Sequence, residues 1–173
     1  MIEPLPLSAS DAARRAHYVD VEARIASLLE DETDWVAAMA TVASELHWAF
    51  DYFDWTGFYR AVSDSLLVIG PYQGGHGCLR IEFSRGVCGA AARTRTTQLV
   101  PDVDAFPGHI ACSSATRSEI VVPIVAPNDR LLGVLDVDSN EPAAFTAADA
   151  ESLERICADL GRRFAPCAPD FSA

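Results

Sequence analysis

Along residues 10–31 the apolar positions Val21, Ile25, Leu28 and Leu29 recur at helical spacing, with Asp11 and Glu22 among exposed charges, which predicts a first helix. Thr33 is read as the N-cap of a second helix whose single stripe is Val36, Met39, Ala40, Ala43, Leu46 and Phe50. After Asp54 the pattern shortens to β-type runs. WTGFYR and SLLVIG are separated by the turn-rich Ser63, Asp64 and Ser65, and the glycines of PYQGGHG precede a third run, CLRIEF. GVCGAAA from Gly86 reads as a tight turn opening a short helix, followed by a brief strand over 98–100. Residues 101–118 show no period, and so long a structureless stretch in a small domain marks a functional loop. EIVVPIV and LLGVLDVD flank a turn at Pro127, Asn128, Asp129 and Arg130 and form the clearest hairpin, with Pro123 expected to disturb its ladder. Thr146 and Asp149 make a capping-box opening for a last helix that carries Leu153, Ile156, Cys157, Leu160 and Phe164 on one face.

Helices at both ends of a mainly antiparallel sheet define an α+β sandwich. Helices are expected on one sheet face and site-building loops over the other. The expected organisation is a single domain over 10–165, with a flexible N-terminus at 1–9 and a flexible tail at 166–173. The chain of 173 residues is 50% hydrophobic and 22% charged, enough apolar content for one real core. Its net charge of −12, with no Lys/Arg run, removes the electrostatic driving force for nucleic acid or anionic membranes. Neither a membrane span nor a leader pattern is visible at the start, so a cytoplasmic location is expected.

Five cysteines without CxxC spacing indicate neither a secreted disulfide framework nor a zinc ribbon. Cys157 lies on the apolar stripe of the last helix and Cys167 in a Pro-rich tail, so neither is given a role. Cys88 sits at a helix start, where unpaired N–H groups are expected to lower a thiol pKa. Cys112 lies in the long loop three residues after His109, an imidazole able to stabilise a thiolate; a small residue tucking the loop down is the competing account. Cys78 follows a glycine run suited to a thiol that moves to meet a partner sulfur, or else fills a strand edge.

Asp136 and Asp138 are two apart on a strand and share a face. If the turn pairs Ala126 with Leu131, Glu119 falls opposite Asp138 and Val121 opposite Asp136, so that three carboxylates converge. Solvated acids at a strand end would be the alternative. Such a cluster wants a cation: a metal, a basic side chain or a substrate ammonium. No spacing in the chain supports a calcium or zinc loop, so no metal is expected and an amine-bearing ligand is favoured. Trp55 and Tyr59, four apart on the first strand, could wall its apolar end, or else pack into the core.

WTGFY, GPYQG, the cysteine at 78, GVCG, GHIAC, SEIVVP, GVLDVDS and FTAAD occur in an order that resembles the free methionine-(R)-sulfoxide reductase family, a branch of GAF domains, across most of residues 30–165. Ser113, after the GHIAC cysteine, departs from the acidic residue frequent there. The resemblance implies a GAF-like fold and reduction of free L-methionine (R)-S-oxide. It makes Cys112 the nucleophile, Cys78 the resolving thiol and Cys88 a second resolving or relay thiol. Glu119, Asp136 and Asp138 would bind the substrate ammonium and donate the proton, with His109 tuning the thiolate. No bound cofactor is implied; thioredoxin, with NADPH and thioredoxin reductase, would be the external reductant, and a homodimer is compatible. The alternative is a non-enzymatic GAF domain sensing a small ligand or redox state.

Overall fold

Helix α1, Asp11–Leu28, begins where the Ser10 side chain accepts from the Ala13 N–H, and it buries Arg14, Tyr18, Val21 and Ile25. Helix α2, Trp35–Ala49, starts one residue later than expected because Asp34, not Thr33, caps it: its carboxylate accepts from the Ala37 N–H at 2.8 Å. A negative charge at a helix N-terminus adds favourable dipole energy that a hydroxyl lacks. Met39, Ala43, Leu46 and Phe50 of the expected stripe are buried, but Trp35, Ala38, Val42 and Ala49 join them while Ala40 is exposed and Val36 is left 53% exposed. Trp35 takes the core position instead, with its ring 5.9 Å from that of Phe164. The computed structural model describes residues 2–108 and 113–169.

Six strands among these residues form one sheet: β1 Trp55–Ser63, β2 Leu66–Gln73, β3 Arg80–Glu82, β4 Gln98–Val100, β5 Ser118–Val125 and β6 Leu131–Ser139. Their order is β3-β2-β1-β6-β5-β4, and every pairing is antiparallel. β2 runs further than its sequence pattern suggested, through Pro71 and Tyr72. The proline falls where the β1/β2 register shifts, between Gly57 and Tyr59, and a bulge tolerates a missing N–H. Along β5 the ladder is regular past Pro123, which pairs with Val134. β4 has already ended opposite Val121, so the missing donor meets no further strand. The irregularity lies instead between Ile124 and Val125.

Helices α1, α2 and α4 (Ala147–Phe164) bury their apolar faces with Phe58, Ile120, Val122, Leu135 and Val137 of the sheet. The α4 opening is the expected capping box, with both reciprocal bonds of Thr146 and Asp149 present. Alternation then turns Trp55, Tyr59, Val121 and Val134 to the opposite face, where they cluster with Val87, Cys88 and Ala91 of the short helix α3, Gly86–Thr94. The N-terminal segment, expected to be flexible, is tied down. Leu5 bridges Phe50, Leu7 N–H donates to Asp51 Oδ1 at 2.8 Å, and Arg14 Nη2 donates to the Leu7 carbonyl at 2.9 Å. At the other end Ala168 is buried and the Pro169 carbonyl accepts from Arg130.

Candidate active site

Register places the side chains of the site. Trp55 lies opposite Asp138, Gly57 opposite Asp136 and Tyr59 opposite Val134 on β1/β6, while Glu119 pairs with Asp138 and Val121 with Asp136 on β5/β6. Period-two alternation therefore turns Trp55, Tyr59, Glu119, Asp136 and Asp138 to one face, away from α2 and α4. This is the alignment expected from the hairpin, although the turn itself closes differently: Ala126 N–H donates to the Arg130 carbonyl, and Val125 rather than Ala126 faces Leu131. A one-residue slip of the whole strand would have sent Glu119 into the helix-side core.

Over this face lies a cavity of about 510 Å³, reached by all five of those side chains and by Cys88. Glu119 is 6% exposed, Asp136 5% and Cys88 3%, and Asp138 is half-buried. The Cys88 thiol donates to Glu119 Oε1 at 3.9 Å. Asp136 Oδ1 is buried without a hydrogen-bond partner among the described residues. Burial, then Asp136 and Asp138, hold the Glu119 carboxyl well above the ordinary carboxylate range; burial pushes Asp136 up to about 7. Asp138 is raised by burial, then by Asp136 and Asp54. Three acids crowded into one largely buried pocket cannot all be charged without a cation. Each therefore favours either a proton or a positively charged guest.

The apolar wall is a stack. Trp55 lies between Tyr59, at 5.9 Å between centroids, and Tyr72, at 5.4 Å, with interplanar angles of 27° and 19°. Its indole N–H donates to the Gly75 carbonyl at 3.1 Å, which anchors the ring to the glycine run. Gly57 makes room for it, since a Cβ there would lie 2.5 Å from Trp55 Cη2. Asp54 closes the rim: Asn140 N–H donates to its Oδ2 at 2.8 Å, and Asp54 N–H donates to the Asp138 carbonyl at 3.0 Å.

A GAF domain model matches residues 19–164. The free methionine-R-sulfoxide reductase of Neisseria meningitidis, in complex with its substrate, has a similar structure with a TM-score of 0.85 at 46% identity, covering 95% of each chain. The free methionine-R-sulfoxide reductase of Escherichia coli is 40% identical over 143 residues, 83% of this chain and 86% of its own length. That of Saccharomyces cerevisiae is 41% identical over 135 residues, 75% of each. This chain belongs to the free methionine-(R)-sulfoxide reductase family of GAF domains.

The GAF fold and the family expected from the motifs are therefore the ones found. Of the expected site residues, Cys112 and His109 lie outside the described residues. Cys78 is half-buried beside the glycine run and disulfide-bonded. Cys88 stands in the first turn of α3 as expected, yet its thiol is pushed well up. Burial, then Asp136 and Glu119, outweigh the helix N-terminus that was expected to lower it. Cys157 is buried on α4 as core, and Cys167 is an exposed free thiol. The sequence reading missed Asp54, Gly57, Tyr72 and Asn140. Tyr72 was hidden by the proline beside it, and only the alternation Trp55, Gly57, Tyr59 signalled that the middle residue must be small.

Proposed function

We propose that this protein reduces the (R)-sulfoxide of free methionine to methionine, with Cys112 as nucleophile. The observation that carries the reading is the buried carboxylate cluster, with Asp136 Oδ1 unpartnered among the described residues, facing a cavity walled by Trp55 and Tyr59. A free α-ammonium supplies the missing cation, and the S-methyl end supplies the apolar surface against the aromatic stack. Family relatives studied with substrate bound, such as that of Neisseria meningitidis, support the same reading.

In this reading the Cys112 thiolate attacks the sulfoxide sulfur while a carboxylic acid of the cluster, kept protonated by burial and by its neighbours, donates to the oxygen. The oxygen leaves with the cysteine as a sulfenic acid, and methionine is released with its sulfur two electrons more reduced. The Cys78 thiolate then attacks the Cys112 sulfur, expelling water and closing a disulfide. A thioredoxin-type dithiol reopens that disulfide and is itself oxidised, the electrons coming from NADPH through its reductase. The presence of Cys78 in a disulfide is compatible with that order of events. Cys88, protonated and hydrogen-bonded to Glu119, is suited to a later relay more than to first attack. Such chemistry belongs in the reducing cytoplasm, where thioredoxin systems operate.

The test is NADPH oxidation with thioredoxin and thioredoxin reductase on addition of free methionine sulfoxide. Turnover of the R epimer is expected. With Cys78→Ser, one equivalent of methionine per chain should form, after which thioredoxin-supported turnover slows. No reduction of either epimer by the wild-type protein would overturn the proposal in favour of a ligand-sensing GAF domain.

A further inference from the structure

The ligand-capable atoms of Cys88, Glu119 and Asp136 lie within 4.8 Å of one another, all three residues buried. They come from three separate elements, α3, β5 and β6, and the register that aligns the hairpin is what brings them together. The Cys88 sulfur is already 3.9 Å from Glu119 Oε1. Around a tetrahedral zinc, with bonds of roughly 2.3 Å to sulfur and 2.0–2.2 Å to oxygen, ligand atoms stand about 3.5 Å apart. Rotamer adjustments of about an ångström would therefore close the set. Independently, Asp136 is 5% exposed and its Oδ1 has no hydrogen-bond partner among the described residues, although its side chain faces the cavity. That atom wants a positive charge or a donor, and the described residues supply neither.

We infer that Cys88, Glu119 and Asp136 form an inhibitory binding site for a borderline-soft divalent cation of the zinc class, with a fourth coordination position open to the cavity. One thiolate and two carboxylates suit zinc. They do not suit magnesium or calcium, which require about six or more oxygen ligands. Binding displaces the protons that burial keeps on Cys88 and Glu119, and leaves a net charge of −1 where the three fully ionised ligands alone would carry −3. The three protein ligands with one open vertex match the geometry of zinc sites that exchange a ligand. Under the proposed function the ion and the substrate ammonium compete for the same carboxylates, so zinc inhibits reduction reversibly and a chelator restores it. The binding itself rests on the three ligands alone and would stand even if the substrate reading failed.

The experiment is a Co²⁺ and Zn²⁺ titration of the Cys167→Ser chain isolated without reductant, which removes the exposed free thiol and keeps Cys78 in its disulfide. One Co²⁺ per chain is expected, with a near-ultraviolet sulfur-to-cobalt charge-transfer band, displaced stoichiometrically by Zn²⁺. Cys88→Ser, which preserves size and a donor to Glu119, should abolish the band. Asp136→Asn, a second variant in case the first perturbs folding, should weaken binding about a hundredfold, as losses of metal-site groups do. Free methionine sulfoxide should raise the apparent Kd for Zn²⁺. Cobalt bound without a sulfur band, or a band that survives Cys88→Ser, would overturn the site. Zinc binding that is intact but indifferent to methionine sulfoxide would overturn the competition.

Discussion

Two buried acids on opposite faces of the sheet meet opposite fates. On the helix side Asp149 is fully buried, yet it is paired with Arg14 and accepts from Tyr52 Oη at 2.8 Å, Tyr18 Oη at 3.0 Å and Thr146 N–H at 2.8 Å. On the cavity side Asp136 is buried almost as deeply among Glu119, Asp138 and Cys88; its side chain hydrogen-bonds with Cys88 and Glu119, but its Oδ1 has no partner among the described residues. A satisfied buried carboxylate ties elements together: Asp149 joins α1, α4 and the entry to β1, and Arg14 extends the tie to Leu7. One with an unpartnered oxygen is suited, in the proposed function, to the ammonium of the substrate. Burial is common to both, so it does not separate structural acids from functional ones; the count of internal partners does.

The largest effect is expected at Cys112, the proposed nucleophile. Cys112→Ser is expected to bring turnover and sulfenic-acid formation to the detection limit while leaving Tm within a degree or two, as measured by the coupled assay, mass spectrometry and thermal melting. Retained turnover would reject it. Next, Asp136→Asn or Glu119→Gln should lower kcat/KM about a hundredfold with little loss of Tm, whereas Asp149→Asn should do the reverse. Breaking its buried pair costs about 3–5 kcal/mol of stability and leaves kcat/KM of the folded protein nearly unchanged. If Asp149→Asn abolished activity at a temperature where it is folded, the division between the faces would fail.

A third prediction uses pH. Because the folded-state pKa of Asp136 is raised, the native protein holds a proton there that the unfolded chain has released. That contribution to stability is present below about pH 4 and is lost as pH rises to about 7. With a chelator present, the Tm of Asp136→Asn should therefore exceed that of the wild type increasingly from pH 4 to 7 and level off above. A constant offset would contradict it. Smallest, Gly57→Ala should raise KM roughly tenfold by displacing the Trp55 ring. Gly161→Ala, which presses α4 against the Val125 carbonyl on the far face, should cost about 1–3 kcal/mol with KM unchanged.

Much of this was legible in the chain. Alternation and turn residues located the six strands found among the described residues, and the short turn at 127–130 was enough to align Glu119 with Asp138, because a hairpin leaves register few choices. The misreadings share one cause, which is competition settled by tertiary context. Val36 and Trp35 both offer an apolar face, and only the packing against Phe164 chooses between them. A helix N-terminus and a largely buried acidic pocket act oppositely on Cys88, and the pocket, assembled from β5 and β6, prevails. Asp149 was recognised as a capping residue, but its pairing with Arg14, Tyr18 and Tyr52 spans separations near one hundred residues or more that no local pattern carries.

In the proposed function the carboxylate cluster receives the α-ammonium of a free amino acid, and that recognition decides the substrate. It is tested most directly by comparing kcat/KM for free methionine (R)-sulfoxide and its N-acetyl derivative in one assay, since acetylation removes the positive charge and leaves the sulfoxide untouched. A site built around a buried ionic partner discriminates against its loss by about a thousandfold or more, and that is the ratio expected. Comparable values for the two compounds would show that the cluster does not read the ammonium.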